Sequence, residues 1–132
     1  MSEQFPSADA YSAERARHPP LTVVDVRAEQ AAVTEPYRNQ VLLDVGTHCL
    51  RLAVFEGEYR WHHHPDADEL FLVVAGTLEI DLADGATLEL REWQSTVIPK
   101  TTVHRTRAVG RTVNLTCEAQ GARTVFVEPP AA

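Results

Sequence analysis

The chain has 132 residues, with 12 Lys and Arg against 19 Asp and Glu, a formal charge of −7 and 44% apolar positions. That length suits one domain with a sizeable core and leaves too little for two. The acidic balance argues against partners that need a basic footprint, namely nucleic acid and anionic membrane surfaces. Cys49 and Cys117 are the two cysteines, in no paired spacing, so no disulfide framework is expected and a reducing cytoplasm is the expected compartment.

In chain order, MSEQFPSADAY has neither a basic nor an apolar leader region, so no secretory signal is read there. Ser7 to Arg17 reads as a short helix, capped by Ser7 and stopped by Pro19 and Pro20, or as a loose arm over residues 1–20. From Leu21 the texture turns to short β-rich runs. Strands are expected near Val23–Val26, Val41–Val45, Cys49–Phe55, Tyr59–His63, Glu69–Ala75 and Thr77–Leu82. Further ones are expected near Thr87–Leu90, Ser95–Ile98, Val103–Arg107, Thr112–Glu118 and Arg123–Val127. Turn residues such as Gly57, Pro65, Gly76, Pro99 and Gly110 separate them. Many short strands with no long helix between them indicate an all-β sandwich or barrel over residues 21–127, followed by a frayed tail at 128–132. The longest apolar run, Leu70–Ala75, is far too short to span a membrane.

Six histidines are the compositional oddity, and His62, His63 and His64 are consecutive. On a strand, His62 and His64 share a face while His63 points away. Glu69 opens the next apolar strand, where an unpartnered carboxylate would be costly to bury. Two imidazoles and a carboxylate converging from neighbouring strands suit a divalent first-row metal; the same residues would also make a solvated histidine-rich turn with a surface acid. His104, after the turn at Pro99, joins the set only if its strand lies against the first pair.

These two segments together resemble the paired motifs of the cupin superfamily. His62-x-His64, four residues, Glu69, six residues and Gly76 follow the first motif, with Gly57 one residue closer than usual. Trp93, five residues, Pro99-Lys100-Thr101, two residues, His104, three residues and Ala108 follow the second. In that motif Trp93 and Thr101 stand where glycines are usual, and Ala108 where an asparagine is. The resemblance covers about residues 40–118. It implies a double-stranded β-helix, or jelly-roll barrel, holding one divalent transition metal (Fe, Mn, Ni, Zn or Cu) on His62, His64, Glu69 and His104.

The function expected from that resemblance is a metal-dependent enzyme acting on a small molecule. Sugar or keto-acid isomerisation, polyketide or aromatic modification and dioxygenase chemistry all belong to its range, with Glu69 as a proton acceptor. The alternative is a binding or sensing module without turnover. Strand parity from His62 and His64 either puts Arg60 in the cavity as a substrate clamp or leaves it at an exposed edge, paired with Glu58 or another acid, and it leaves Tyr59, Trp61 and His63 outside. Parity with Glu69 puts Phe71 and Val73 on the cavity wall, with Phe71 against the substrate. Arg105 and Arg107 are read on a solvated face, Cys49 and Cys117 as inert core residues, and Trp93 as packing. Unpaired sheet edges make a homodimer the expected assembly, with no nucleic-acid or membrane partner.

Overall fold

The computed structural model describes residues 5–131; the first four residues of the expected arm and the last residue of the tail lie outside this range. Two short helices, α1 (Ala8–Ala13) and α2 (Val26–Ala31), precede and flank eight strands. These are β1 (Tyr37–Val45), β2 (His48–Glu58), β3 (His62–His63), β4 (Glu69–Leu82), β5 (Thr87–Leu90), β6 (Ser95–Ile98), β7 (His104–Ala119) and β8 (Val125–Phe126). The strands form one antiparallel sheet in the order β1-β2-β7-β3-β8, and β4 joins it by pairing with β7, β5 and β6. The long strands β4 and β7 bind this sheet into a curled double-stranded β-helix.

Fewer strands form than the turn residues suggest, because Gly76 and Gly110 bend continuous strands instead of ending them. Gly76 has φ +85, and a Cβ there would lie 2.6 Å from Thr112 Oγ1 and 2.7 Å from the Arg111 carbonyl. Only glycine lets β4 pass that close to β7. Val23–Val26 is not a strand. The Asp25 carboxylate accepts from the backbone N–H of Arg27 (3.0 Å) and Ala28 (3.3 Å), and this cap starts α2 one residue later.

Alternation along β2 buries both of its faces. Ala53 and Phe55 face the barrel interior with Phe71, Val73, Leu78 and Ile80. Leu52 and Val54 face outward into a second apolar cluster with Val33, Leu42 and Val113, partly covered by Val24 and Val26 from the α2 segment. Of the two readings of the N-terminal segment, a helix forms, with the Ser7 hydroxyl accepting from Ala10 N–H at 3.1 Å, but it ends at Ala13, short of Arg17 and the prolines.

Trp93 and Thr101 occupy the two glycine positions of the second motif, and both adopt the left-handed backbone that glycine favours, φ 67 and φ 71. Each is the third residue of a turn, closed by Gln94 N–H to Arg91 O (3.0 Å) and by Thr102 N–H to Pro99 O (3.2 Å). Trp93 is 71% exposed, so it does not serve as packing; its backbone is needed at that corner and its side chain is not. Trp93→Gly is therefore expected to stabilise the fold by about 1 kcal/mol, read as a higher urea midpoint. An unchanged or lower midpoint would mean that the indole has a partner of its own.

The outer face of β4 and β7 carries cross-strand ion pairs, since Asp81 stands opposite Arg105 and Glu79 opposite Arg107. Arg105 and Arg107 are thus only partly solvated. Asp81 accepts from Arg107 Nε (2.6 Å) and Nη2 (2.8 Å), from Arg105 Nε (2.9 Å) and from Thr87 Oγ1 (2.8 Å). The Arg107 hydrogen bonds, followed by those from Arg105 and Thr87, hold its carboxyl well below the usual range despite burial. A depressed native pKa gives stability that is complete above the unfolded value of about 3.9 and fades as acid lowers the pH through the native one. The stability gap between the protein and Asp81→Asn should be constant above about pH 5 and narrow below about pH 4. A gap that widens in acid would contradict this assignment.

Candidate metal centre

Four buried side chains meet at one end of the barrel because four chain segments start or stop there. His62 begins β3 and is the register partner of His104, the first residue of β7. His64 directly follows β3, where its carbonyl accepts from Thr101 N–H at 2.8 Å, and Glu69 begins β4. Strand pairing thus sets the His104 strand against the first motif, the condition for a fourth ligand. One ligand atom from each of His62, His64, Glu69 and His104 lies within 4.8 Å of the others, close to twice a metal–nitrogen bond of about 2.1 Å.

The imidazoles are oriented by the main chain. His62 Nδ1 lies 2.7 Å from Arg60 O, His64 Nδ1 2.9 Å from Arg123 O, and His104 Nδ1 2.8 Å from Thr102 O. A carbonyl can only accept, so each Nδ1 carries a proton and each Nε2 is the nitrogen left to face inward. Glu69 Oε1 is 3.3 Å from His64 Nε2 and 4.0 Å from His104 Nε2. Neither Glu69 Oε1 nor His104 Nε2 has a hydrogen-bond partner among the described residues. Burial first, and the neighbouring imidazoles second, hold His62 well below the usual range, and burial lowers His104 as well. Burial also opposes charge on His64, but the Glu69 carboxylate outweighs it and raises that imidazole to about 9. Three Nε2 atoms turned inward around a buried carboxylate are the donors a divalent cation requires, with His64 giving up its proton as the metal enters. The donor set fits one.

The cavity beside this cluster has a volume of about 40 Å³, small compared with pockets for drug-sized ligands at about 300 Å³ and above. Its apolar wall comes from Phe55, Phe71 and the rings of Tyr11, Tyr37 and Tyr59. Phe5 covers the stacked Tyr37 and Tyr59 rings edge-on, at 4.8 and 5.0 Å. Phe71 therefore lies on the wall as its parity predicts, and Val73 is fully buried behind it. Arg60 and Tyr59 do not follow parity. Strand β2 ends at Glu58 and β3 starts at His62, so residues 59–61 break the alternation. Tyr59 turns into the cavity, while Arg60 is exposed and lays its guanidinium 3.7 Å over the Phe126 ring, outside the cavity. Among the described residues, no Lys or Arg lines the cavity.

Beneath the site lies a buried polar cluster that sequence reading did not single out. The Tyr11 hydroxyl donates to Glu118 Oε1, and the Tyr11 ring stacks on His64 at 5.9 Å. Arg51, 2% exposed, places Nε 3.0 Å from the same Glu118 oxygen and donates to Glu14 Oε1 (2.9 Å), Asn39 Oδ1 (3.1 Å) and the Tyr11 carbonyl (2.9 Å). Burial, and then the nearby Glu69 charge, push the Glu118 carboxyl up to about 7. The available signal was parity: Arg51 alternates with Ala53 and Phe55, and Glu118 with Asn114 and Thr116, on the faces that point inward. Through this cluster α1 closes the barrel and gives the cavity Tyr11, so the N-terminal segment is part of the site. Cys49, buried behind Arg51, has its thiol pushed up to about 11 by burial, and both cysteines are free.

Comparison with known proteins agrees with this geometry. The family model described as "Cupin domain" matches residues 51–117. An uncharacterized protein YdbB of Bacillus subtilis is 54% identical over 96 residues, 73% of this chain and 85% of that one. A polyketide synthase CurC of Streptomyces cyaneus is 49% identical over 49 residues, which span 37% of this chain and 31% of that protein. Among solved structures, a cupin-2 domain protein of Shewanella frigidimarina superposes with a TM-score of 0.69 at 28% identity, over 74% of this chain and 94% of its own. On the domain match and the Bacillus relative together, this chain belongs to the cupin superfamily.

Proposed function

We propose that the protein is a metal-dependent enzyme acting on a small uncharged molecule that carries carbonyl and hydroxyl oxygens. One observation carries this reading: His62, His64 and His104 are each turned by a main-chain carbonyl so that Nε2 faces the pocket into which Glu69 Oε1, unpartnered among the described residues, also points. A divalent ion held by these four residues would supply a Lewis acid that polarises a carbonyl or stabilises an enolate. Glu69 borders the space where such a carbon acid would lie and serves as the proton acceptor. Phe71 and the tyrosine rings exclude water and pack against the apolar part of the substrate.

The same wall narrows the substrate. Without a cation on it, a keto acid or a phosphate would have only the metal to offset its charge, and Glu69 would repel it. Neutral hydroxy-carbonyl compounds, sugars and polyketides among them, meet no such opposition, and part of the chain resembles a protein named for polyketide synthesis. A homodimer belongs to this reading, with the exposed register neighbours Leu70 and Val97 as the apolar pair a second copy would cover. Light scattering checks it.

Elemental analysis of the purified protein should find close to one transition-metal ion per chain. A panel of hydroxyketones, phenols and keto acids should then show turnover confined to the uncharged compounds. Metal-free protein from metal-replete cells would reject the proposal, and binding without turnover across the panel would make the protein a binding module.

A further inference from the structure

Two polar side chains on β7 are buried in the cavity wall without partners. Asn114 and Thr116 are each 2% exposed and each line the cavity, two residues apart on the same face of the strand. Neither Asn114 Oδ1 nor Thr116 Oγ1 has a hydrogen-bond partner among the described residues. The register shows what surrounds them. Asn114 pairs with Ala53 in β2 and Ala53 with Asn39 in β1, so two amides flank a single methyl group. Thr116 sits between Arg51 and Phe71 in the next row. The Asn39 carbonyl accepts from Arg51 Nη1 at 3.1 Å and its side chain also bonds the Tyr37 hydroxyl, so Asn39 is already engaged while Asn114 and Thr116 are not.

Buried polar groups without partners lower stability, and a wall serving only to pack would carry valine and leucine here. Functional sites are where such a cost is retained. We infer that Asn114 and Thr116 anchor the ligand by hydrogen bonds to its carbonyl and hydroxyl oxygens. The inference rests on the metal reading above and defines the substrate class: an uncharged molecule with a carbonyl beside a hydroxyl. Asn114 Oδ1 accepts from the hydroxyl, and the Thr116 hydroxyl donates to or accepts from the neighbouring oxygen. Arg51, the nearest cation, is committed to Glu14, Glu118 and Asn39 and offers nothing to an anion.

The test uses the full chain loaded with zinc, and hydroxyacetone as a small uncharged probe with a carbonyl beside a hydroxyl. Thr116→Val and Asn114→Leu remove the polar atoms at nearly constant volume. Both variants should keep the zinc content of the parent and bind the probe about 10-fold more weakly each, measured by NMR titration. Without zinc, Thr116→Val should melt about 3–5 °C higher than the parent, because a buried group without a partner is gone. Full zinc with unchanged probe affinity in both variants overturns the anchor and leaves the metal reading intact. A lower melting temperature for metal-free Thr116→Val also overturns it, because the hydroxyl would then be making a structural bond. If the parent takes up no zinc, the metal reading fails, and the melting temperatures still decide the anchor.

Discussion

His104→Ala is expected to bring the metal content from close to one per chain to near zero, while His63→Ala leaves it unchanged. His104 is held by β7 pairing on both sides, opposite His62 and Leu82, and its only side-chain hydrogen bond among the described residues is a local one to Thr102 O. Removing it takes one of four donors without unpinning the strand, so the metal-free variant should fold. Loss of a group that merely orients a ligand costs about 10- to 100-fold in affinity, and loss of the ligand itself should cost more. Thermal denaturation gives an independent readout. Metal at 100 times its dissociation constant adds about 2.7 kcal/mol to the parent, and it should add almost nothing to His104→Ala. If the variant retains a full complement of metal, the four residues are not its ligands.

Arg51→Met is expected to cost about 3–5 kcal/mol, the range for removing one partner from a buried charge pair. The guanidinium lies 3.7 Å over the Tyr11 ring and contacts Glu118, whose side chain is fully buried, and Glu14. Methionine fills much of the space but leaves Glu118 facing Glu69 without compensation. Urea titration should show the loss directly. The double substitution Arg51→Met with Glu118→Leu should recover a large part of it, because replacing a whole buried pair by apolar groups is often close to neutral. If the double variant is no better than the single one, shape and not charge is what Arg51 contributes. The same loss should loosen α1, since Arg51 Nη2 donates to the Tyr11 carbonyl.

Period-two alternation was the legible part of this fold. The β-rich runs between turn residues marked β1, β2, β5 and β6, parity with Glu69 placed Phe71 and Val73 inward, and the motif spacing brought out the four residues that converge. Alternation is informative only while a strand continues. Between Glu58 and His62 it does not, and so Arg60 was expected inside and Tyr59 outside, the reverse of what the chain does. Valine-rich composition suggested a strand at Val23–Val26, where the Asp25 cap instead starts a helix that covers the outer cluster. The cluster of Tyr11, Arg51 and Glu118 depends on contacts across 40 and 107 residues of sequence separation. No local pattern encodes such a meeting, although two charged residues at inward positions marked that something had to neutralise them.

The three carbonyls that orient the imidazoles, those of Arg60, Thr102 and Arg123, belong to the backbone. Because a peptide oxygen stays in place whatever side chain its residue carries, the aim of the three rings is insulated from most changes in the residues around them. The opposite wall, with Asn39, Asn114 and Thr116, has no such insulation and can be altered one side chain at a time. A barrel divided in this way can exchange one substrate for another during evolution, or in the laboratory, without first having to rebuild its centre.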